Sequence, residues 1–247
     1  MLRAIVPCRP GLLTTAVIVL DERWLVWKSL QASARVLGSV FFDLRVDGLE
    51  HIPRHGGALI ASNHQSYLDP ILLNTRMRRP LNYLAKSELF ENPHLGRLLR
   101  TVGVFPLHQK GTDFSAIRQA VVSLRAGQLL SIYPEGARTP NGRIGRIEKG
   151  IALILRRAHV PVIPVVIIGA YEAWPIFRPF PRPWPIRIRI GPPMDLAGKS
   201  SDEIVEAVDR TLRRMFDELT EESRLNDPSL ANDGSTNGTA QLRGQSV

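Results

Sequence analysis

Residues 58–70, Ala58-Leu59-Ile60-Ala61-Ser62-Asn63-His64-Gln65-Ser66-Tyr67-Leu68-Asp69-Pro70, contain a β-type run, a polar turn and the start of a helix. Ala58–Ala61 reads as a strand. Asp69 followed by Pro70 reads as an N-cap and first helical position, which opens a helix over Ile71–Arg76. The same pattern recurs along the chain. Strands are predicted at Asn82–Ala85, Gly103–Leu107, Leu129–Tyr133, Val162–Ile168 and Ile186–Ile190, with helices at Leu95–Arg100, Phe114–Arg125 and Gly150–Ala158. This alternation predicts an α/β domain whose mixed, largely parallel sheet is flanked by helices. Ile186-Arg187-Ile188-Arg189-Ile190 has strict period two, so it is expected to be half exposed, an edge strand. Proline cannot donate to a ladder, so Pro161 and Pro164 mark a strand entrance, a bulge or an edge.

Composition narrows the class. The chain has 247 residues, 44% hydrophobic and 22% charged, which suits one folded domain and excludes a disordered or disulfide-stapled chain. Its single cysteine, Cys8, allows no internal disulfide and no thiolate metal cluster, and points to a reducing setting. The formal charge of +9 favours phosphate-bearing partners, whether nucleic acid, anionic lipid or a nucleotide.

The two ends differ from the middle. No stretch reaches the roughly 18 apolar residues of a spanning helix. Leu12–Leu20 comes nearest and stops at Asp21-Glu22-Arg23, while Ala32-Ser33-Ala34 lies too far on for signal cleavage, so no signal peptide is expected. Trp24, Trp27, Leu30, Ala34, Leu37 and Phe41 recur at helical spacing among basic residues. Residues 1–42 thus form an amphipathic helical segment that either lies in a membrane interface or docks on the core. The main domain is placed at 43–225. Its last helix starts from the capping box Ser200-Ser201-Asp202-Glu203, carries the stripe Ile204, Val208, Leu212, Met215 and Leu219, and closes near Glu221. Residues 226–247 are polar and expected to be disordered.

In open α/β sheets ligands sit beyond the carboxyl ends of strands. Three such segments carry chemistry. After the first strand, His64 and Asp69 are five apart, which on one helix would rotate them about 140° from each other. A turn ending at Asp69 lets the imidazole fold back onto the carboxylate, leaving one ring nitrogen as a base. The plainer reading is a loop histidine and an ordinary cap. After Leu129–Tyr133 comes Pro134-Glu135-Gly136-Ala137-Arg138. Here Gly136 lets backbone amides approach a ligand, Arg138 offers a fork for phosphate, and Glu135 fixes that arginine or a substrate hydroxyl. After Gly103–Leu107, Lys110 stands in a basic loop that suits a phosphate.

In this order the segments resemble the lysophospholipid acyltransferase family over about Arg45 to Pro193. Asn63 to Asp69 matches the family's N-H-x4-D motif. Tyr133-Pro134-Glu135-Gly136-Ala137-Arg138 is similar to F-P-E-G-T-R, with Tyr for Phe and Ala for Thr. Val160 to Val165 resembles the V-P-[IV]-x-P-V strand, and Ala85-Lys86-Ser87-Glu88-Leu89 resembles A-K-x-E-L. One departure concerns the second motif, where Gln109, between His108 and Lys110, stands in the place of an arginine. The resemblance implies acyl transfer from a thioester to a lysophospholipid hydroxyl, with 1-acyl-glycerol-3-phosphate the expected acceptor. His64 would be the base and Asp69 its orienting partner. Arg138, Glu135 and Gly136, with Lys86 or Lys110, would bind the acceptor phosphate, and amides near Asn63 or His64 would meet the oxyanion. Glycerol 3-phosphate, another lysolipid or an amine-bearing lipid are alternative acceptors, and a non-catalytic lipid binder is the remaining alternative. The donor is acyl-CoA or acyl-carrier protein. No metal, resident cofactor or nucleic-acid partner is expected, and the protein is placed on the cytoplasmic face of a membrane. Gly191 to Ser200 has the wrong spacing and two prolines for a phosphate loop.

Overall fold

The structure, a computed structural model, describes residues 22–107 and 114–226. Cys8, the Leu12–Leu20 stretch, His108, Gln109, Lys110 and the 227–247 tail lie outside the described residues. The strands are β1 (Arg45–Asp47), β2 (Ala58–Ser62), β3 (Leu81–Lys86), β4 (Val104–Leu107), β5 (Leu129–Ile132), β6 (Val162–Ile168) and β7 (Arg187–Ile190). The helices are α1 (Glu22–Phe42), α2 (Asp69–Asn74), α3 (Pro93–Thr101), α4 (Phe114–Arg125), α5 (Gly150–Ala158), α6 (Ala170–Ala173) and α7 (Ser201–Asn226).

The described residues form a seven-stranded sheet of order β1-β7-β6-β2-β5-β3-β4. Neighbouring strands from β6 to β4 pair in parallel, and only the β6–β7 pair is antiparallel. The mixed, largely parallel sheet of the expectation is therefore present. Every residue of β2 and β5 is buried because helices cover both faces. Leu59, Leu130, Val162 and Val166 pack under α4, α5 and α7. Ile60, Leu129, Ile163 and Ile167 pack under the α2 side with Leu72 and Leu73.

Two local expectations, the edge position of β7 and the end of the last helix, need correction. β7 alternates half-buried and buried residues as its period-two pattern demands, but it is not an edge. The short β1, which has no apolar run to announce it, covers its outer side. Pro164 sits in an interior strand, where a bulge accommodates it. Val162 pairs with Met194 and Val165 with Ile190, so two residues lie between the pairs on β6 and three on the other side. Pro164 keeps its acceptor role, taking the Gly191 amide at 2.8 Å. The last helix has the capping box in place, with Ser200 N donating to Glu203 at 2.8 Å. It runs past Glu221 to Asn226.

The N-terminal helix docks differently from its apolar spacing. Trp27 (4% exposed), Gln31, Gly38 and Phe42 face the domain. Trp27 Nε1 donates to Asn74 at 3.2 Å, Gln31 Nε2 donates to the Asn74 and Met77 carbonyls, and Arg35 donates to the Thr75 carbonyl. These bonds satisfy the carbonyls at the end of α2. Leu30, Leu37 and Phe41 of the expected stripe point outward. No described helix is long and apolar enough to cross a membrane.

Candidate active site

The site forms at the carboxyl ends of β2, β5 and β6, three adjacent parallel strands. Each residue of the turn after β2 has a separate task. Asn63 is buried, and its side-chain amide clasps Ile167 of β6 reciprocally, donating at 2.8 Å and accepting at 2.7 Å. Gln65 donates to the Gly142 carbonyl and accepts from Tyr171 N. Ser66 Oγ donates to the Trp174 carbonyl at 2.9 Å. The turn is thus tied to its neighbours before any ligand arrives.

Asp69 closes it. The carboxylate is fully buried, and its Oδ2 accepts from Gln65 N at 2.7 Å, Ser66 N at 2.8 Å and His64 Nδ1 at 2.7 Å. A carboxylate already accepting two amides requires the ring nitrogen to be the donor, so Nδ1 carries the proton. Asp69 is the first residue of α2, but its side chain turns back to the loop instead of capping the helix, which corrects the N-cap expectation. Charge-assisted bonds of this kind are worth about 1.5–3 kcal/mol each. They offset the burial of the charge, together with the favourable end of a helix.

His64 is held on a second side as well. Its ring stacks on Tyr133 at 3.9 Å and 15°, and the side chain keeps 19% exposure. No described residue bonds Nε2, so this nitrogen is left free to accept a proton. Tyr133, where the resembling family has Phe, buries its hydroxyl without a partner. Burial raises its pKa well above the ordinary phenol value, with Tyr83 and Asp69 adding to the effect, so it stays protonated.

Glu135 does something the sequence does not disclose. Its Oε1 accepts from His64 N at 2.8 Å and its Oε2 from Gly145 N at 2.6 Å. It ties two loops together, and neither oxygen bonds Arg138. Burial raises its pKa more than the amides of Gly145 and His64 lower it. The His64 amide is therefore committed to Glu135, and the Asn63 side chain is committed to β6. Gly136 shapes the same turn. Its amide closes a turn onto the Tyr133 carbonyl at 3.0 Å, and glycine serves its φ of +73°.

Arg138 lies over the Tyr67 ring, with Cζ 3.4 Å from the centroid. Its Nη1 is buried without a hydrogen-bond partner. The next residue, Thr139, donates its amide to the His64 carbonyl at 2.8 Å, which fixes Arg138 beside the histidine. A half-buried guanidinium with one nitrogen unmatched suits an anion with oxygens to spare. Lys86 ends β3 at the same sheet edge and is exposed. Since β5 lies between β3 and β2, that strand end is roughly 10 Å from the turn that carries His64. Tyr67, Tyr133 and the anchoring of Gln65 and Ser66 carry no spacing signal in the sequence.

An imidazole held by a buried carboxylate at the ends of parallel strands, with an arginine beside it, is an arrangement that suits group transfer. A family model described as Acyltransferase matches residues 43–168, half of the chain, and the chain belongs to that family. It is 25% identical over 198 residues to a 1-acyl-sn-glycerol-3-phosphate acyltransferase of Bacillus subtilis, covering 78% of this chain and 96% of that one. It is 29% identical to a protein of the same description from Pseudomonas aeruginosa, covering 74% and 69% respectively. A chloroplast relative from Arabidopsis thaliana is longer, and the match spans 38% of it. The crystal structure of the 1-acyl-sn-glycerophosphate acyltransferase PlsC from Thermotoga maritima superposes with a TM-score of 0.71 at 28% identity, covering 82% of this chain and 84% of that one.

Proposed function

We propose that the protein moves a fatty acyl group from a thioester donor to the free hydroxyl of 1-acyl-glycerol-3-phosphate, giving phosphatidate. The observation that carries this reading is the 2.7 Å contact of His64 Nδ1 with a fully buried carboxylate, which leaves Nε2 as the base. Nε2 takes the proton of the acceptor hydroxyl as its oxygen bonds to the acyl carbon. The resulting imidazolium is stabilised by Asp69. Collapse of the tetrahedral intermediate breaks the C–S bond, and the proton on Nε2 goes to the departing thiolate. General-base help of this kind contributes about 10²–10⁴-fold, and alignment of the two substrates supplies much of the remainder.

Arg138, half-buried and held on the Tyr67 ring beside His64, is assigned the acceptor phosphate. Lys86, exposed at the same end of the sheet, adds positive charge, and Lys110, which follows β4 in the sequence, is assigned the same task. Both substrates carry acyl chains. The outward Leu30, Val36, Leu37, Val40 and Phe41 of α1 support peripheral attachment to a lipid surface, at the cytoplasmic face.

The test is acylation by the purified full chain, with radiolabelled acyl-CoA and acyl-carrier protein as alternative donors. Lysophosphatidate, glycerol 3-phosphate and choline- or ethanolamine-bearing lysolipids form the acceptor panel. Phosphatidate formed with the highest kcat/KM on lysophosphatidate is the expected result. A higher value on any other acceptor would reassign the substrate.

A further inference from the structure

Residues 174–185, Trp-Pro-Ile-Phe-Arg-Pro-Phe-Pro-Arg-Pro-Trp-Pro, take no part in the chemistry above. Prolines at 175, 179, 181, 183 and 185 deny this segment a helix or ladder and fix φ, so its side chains are presented with little freedom to collapse. Its base is pinned. Arg182 N donates to the Ala173 carbonyl and Arg182 Nε to the Glu172 carbonyl, both at 2.8 Å, and the guanidinium lies over Trp184. Trp174 Nε1 donates to the Arg178 carbonyl at 2.9 Å.

From that base Phe177 and Phe180 project with 70% and 77% exposure, beside the exposed Ile176. Keeping two phenylalanines in water forgoes their burial. The loop's own charge has one sign, since no acid occurs between Glu172 and Asp195. Arg187 and Arg189 of β7 are occupied with Asp43 and Glu222. The guanidinium of Arg178, on the loop itself, makes no protein bond among the described residues. The loop also adjoins the site. Trp174 lies 5.5 Å from Tyr67, the ring beneath Arg138.

We propose that this loop is a shallow insertion element for an anionic bilayer. Phe177 and Phe180 enter the boundary between headgroups and acyl chains, and Arg178 meets lipid phosphates. The arrangement puts Tyr67 and Arg138 at the lipid plane, where an acceptor can pass to His64 without leaving the membrane. That purpose rests on the acyl-transfer reading, but the insertion itself does not. An acidic carrier protein would satisfy Arg178 but offers less apolar depth for two projecting rings, so the bilayer is the better fit.

The experiment places a nitrobenzoxadiazole fluorophore on Phe177→Cys in a Cys8→Ser background of the full chain. Vesicles of phosphatidylglycerol mixed with phosphatidylcholine should shift its emission to the blue, and phosphatidylcholine alone should shift it less. Val122→Cys, exposed on α4, should shift with neither. In the unlabelled protein, Phe177→Ser with Phe180→Ser should lower sedimentation with the mixed vesicles about tenfold at unchanged circular dichroism. No shift on mixed vesicles overturns the proposal, as does a shift produced only by acyl-carrier protein. Since no acyl transfer is measured, failure of the substrate assignment would leave these results standing.

Discussion

Arg138 rests on the face of Tyr67, 3.4 Å from the ring centroid, although the two residues are far apart in sequence. The ring holds the guanidinium flat, and the buried Nη1 has no protein acceptor. The contact adds about 0.5–2 kcal/mol of cation–π attraction and orients the fork for a phosphate.

Removing the guanidinium should therefore weaken the acceptor alone. Arg138→Ala is expected to raise the lysophosphatidate KM about 10- to 100-fold, the equivalent of one or two charge-assisted bonds. Donor KM should stay unchanged. Arg138→Lys should recover only part of the loss, because an ammonium lacks the fork. Steady-state kinetics with each substrate varied in turn checks this, and an unchanged acceptor KM in Arg138→Ala would contradict it.

Asp69→Asn keeps the shape but supplies an NH₂ where three donors converge on one oxygen. Turning the amide oxygen to the loop amides leaves His64 without its negative partner, and turning the NH₂ toward Nδ1 selects the wrong tautomer. A fall in kcat of about 10²–10⁴-fold is expected, with substrate KM values little changed. Wild-type turnover in a folded Asp69→Asn protein would exclude the orienting role.

Tyr133 separates stacking from hydroxyl chemistry. Tyr133→Phe retains the ring against His64 and removes a buried, unpartnered hydroxyl, so stability should be equal or about 1 kcal/mol higher and activity kept. Tyr133→Leu removes the flat support and should lower kcat. Denaturant unfolding and turnover of the pair test this. A large loss of kcat in Tyr133→Phe would show that the hydroxyl takes part.

Glu135 makes stability depend on pH. Burial raises its carboxyl above the ordinary value, so the native protein holds this proton more tightly than the unfolded chain. The associated stability is fully present below the ordinary carboxylate pKa and is lost as pH rises through the raised folded value. Glu135→Gln should flatten that slope. Above neutrality it should cost about 1–3 kcal/mol, because an amide cannot accept from both His64 N and Gly145 N as well as a carboxylate does. Equilibrium unfolding at several pH values would reveal an unchanged slope if this is wrong.

The fold was readable where apolar runs are continuous. β2, β5 and β6 are buried on both faces, and their sequences have almost nothing polar to obscure them. β1 escaped because Arg45-Val46-Asp47 has two charged residues and pairs along one side only. His64 and Asp69 were legible because one local turn sets their meeting. Glu135 was not, because its partners, the amides of His64 and Gly145, leave no mark on residue type. Tyr67 beneath Arg138 was hidden for the same reason, since only the packing of β2 beside β5 brings those turns together. The docking face of α1 was not legible because Gln31 and Arg35 dock through hydrogen bonds, which apolar periodicity does not count.

The base assignment is tested most directly by the single-turnover rate of acyl transfer in His64→Ala, at saturating lysophosphatidate and with native circular dichroism. A loss of about 10²-fold or more, with both substrates still bound, is the predicted result. A rate equal to that of the wild type would contradict it and move the chemistry away from the imidazole above Asp69.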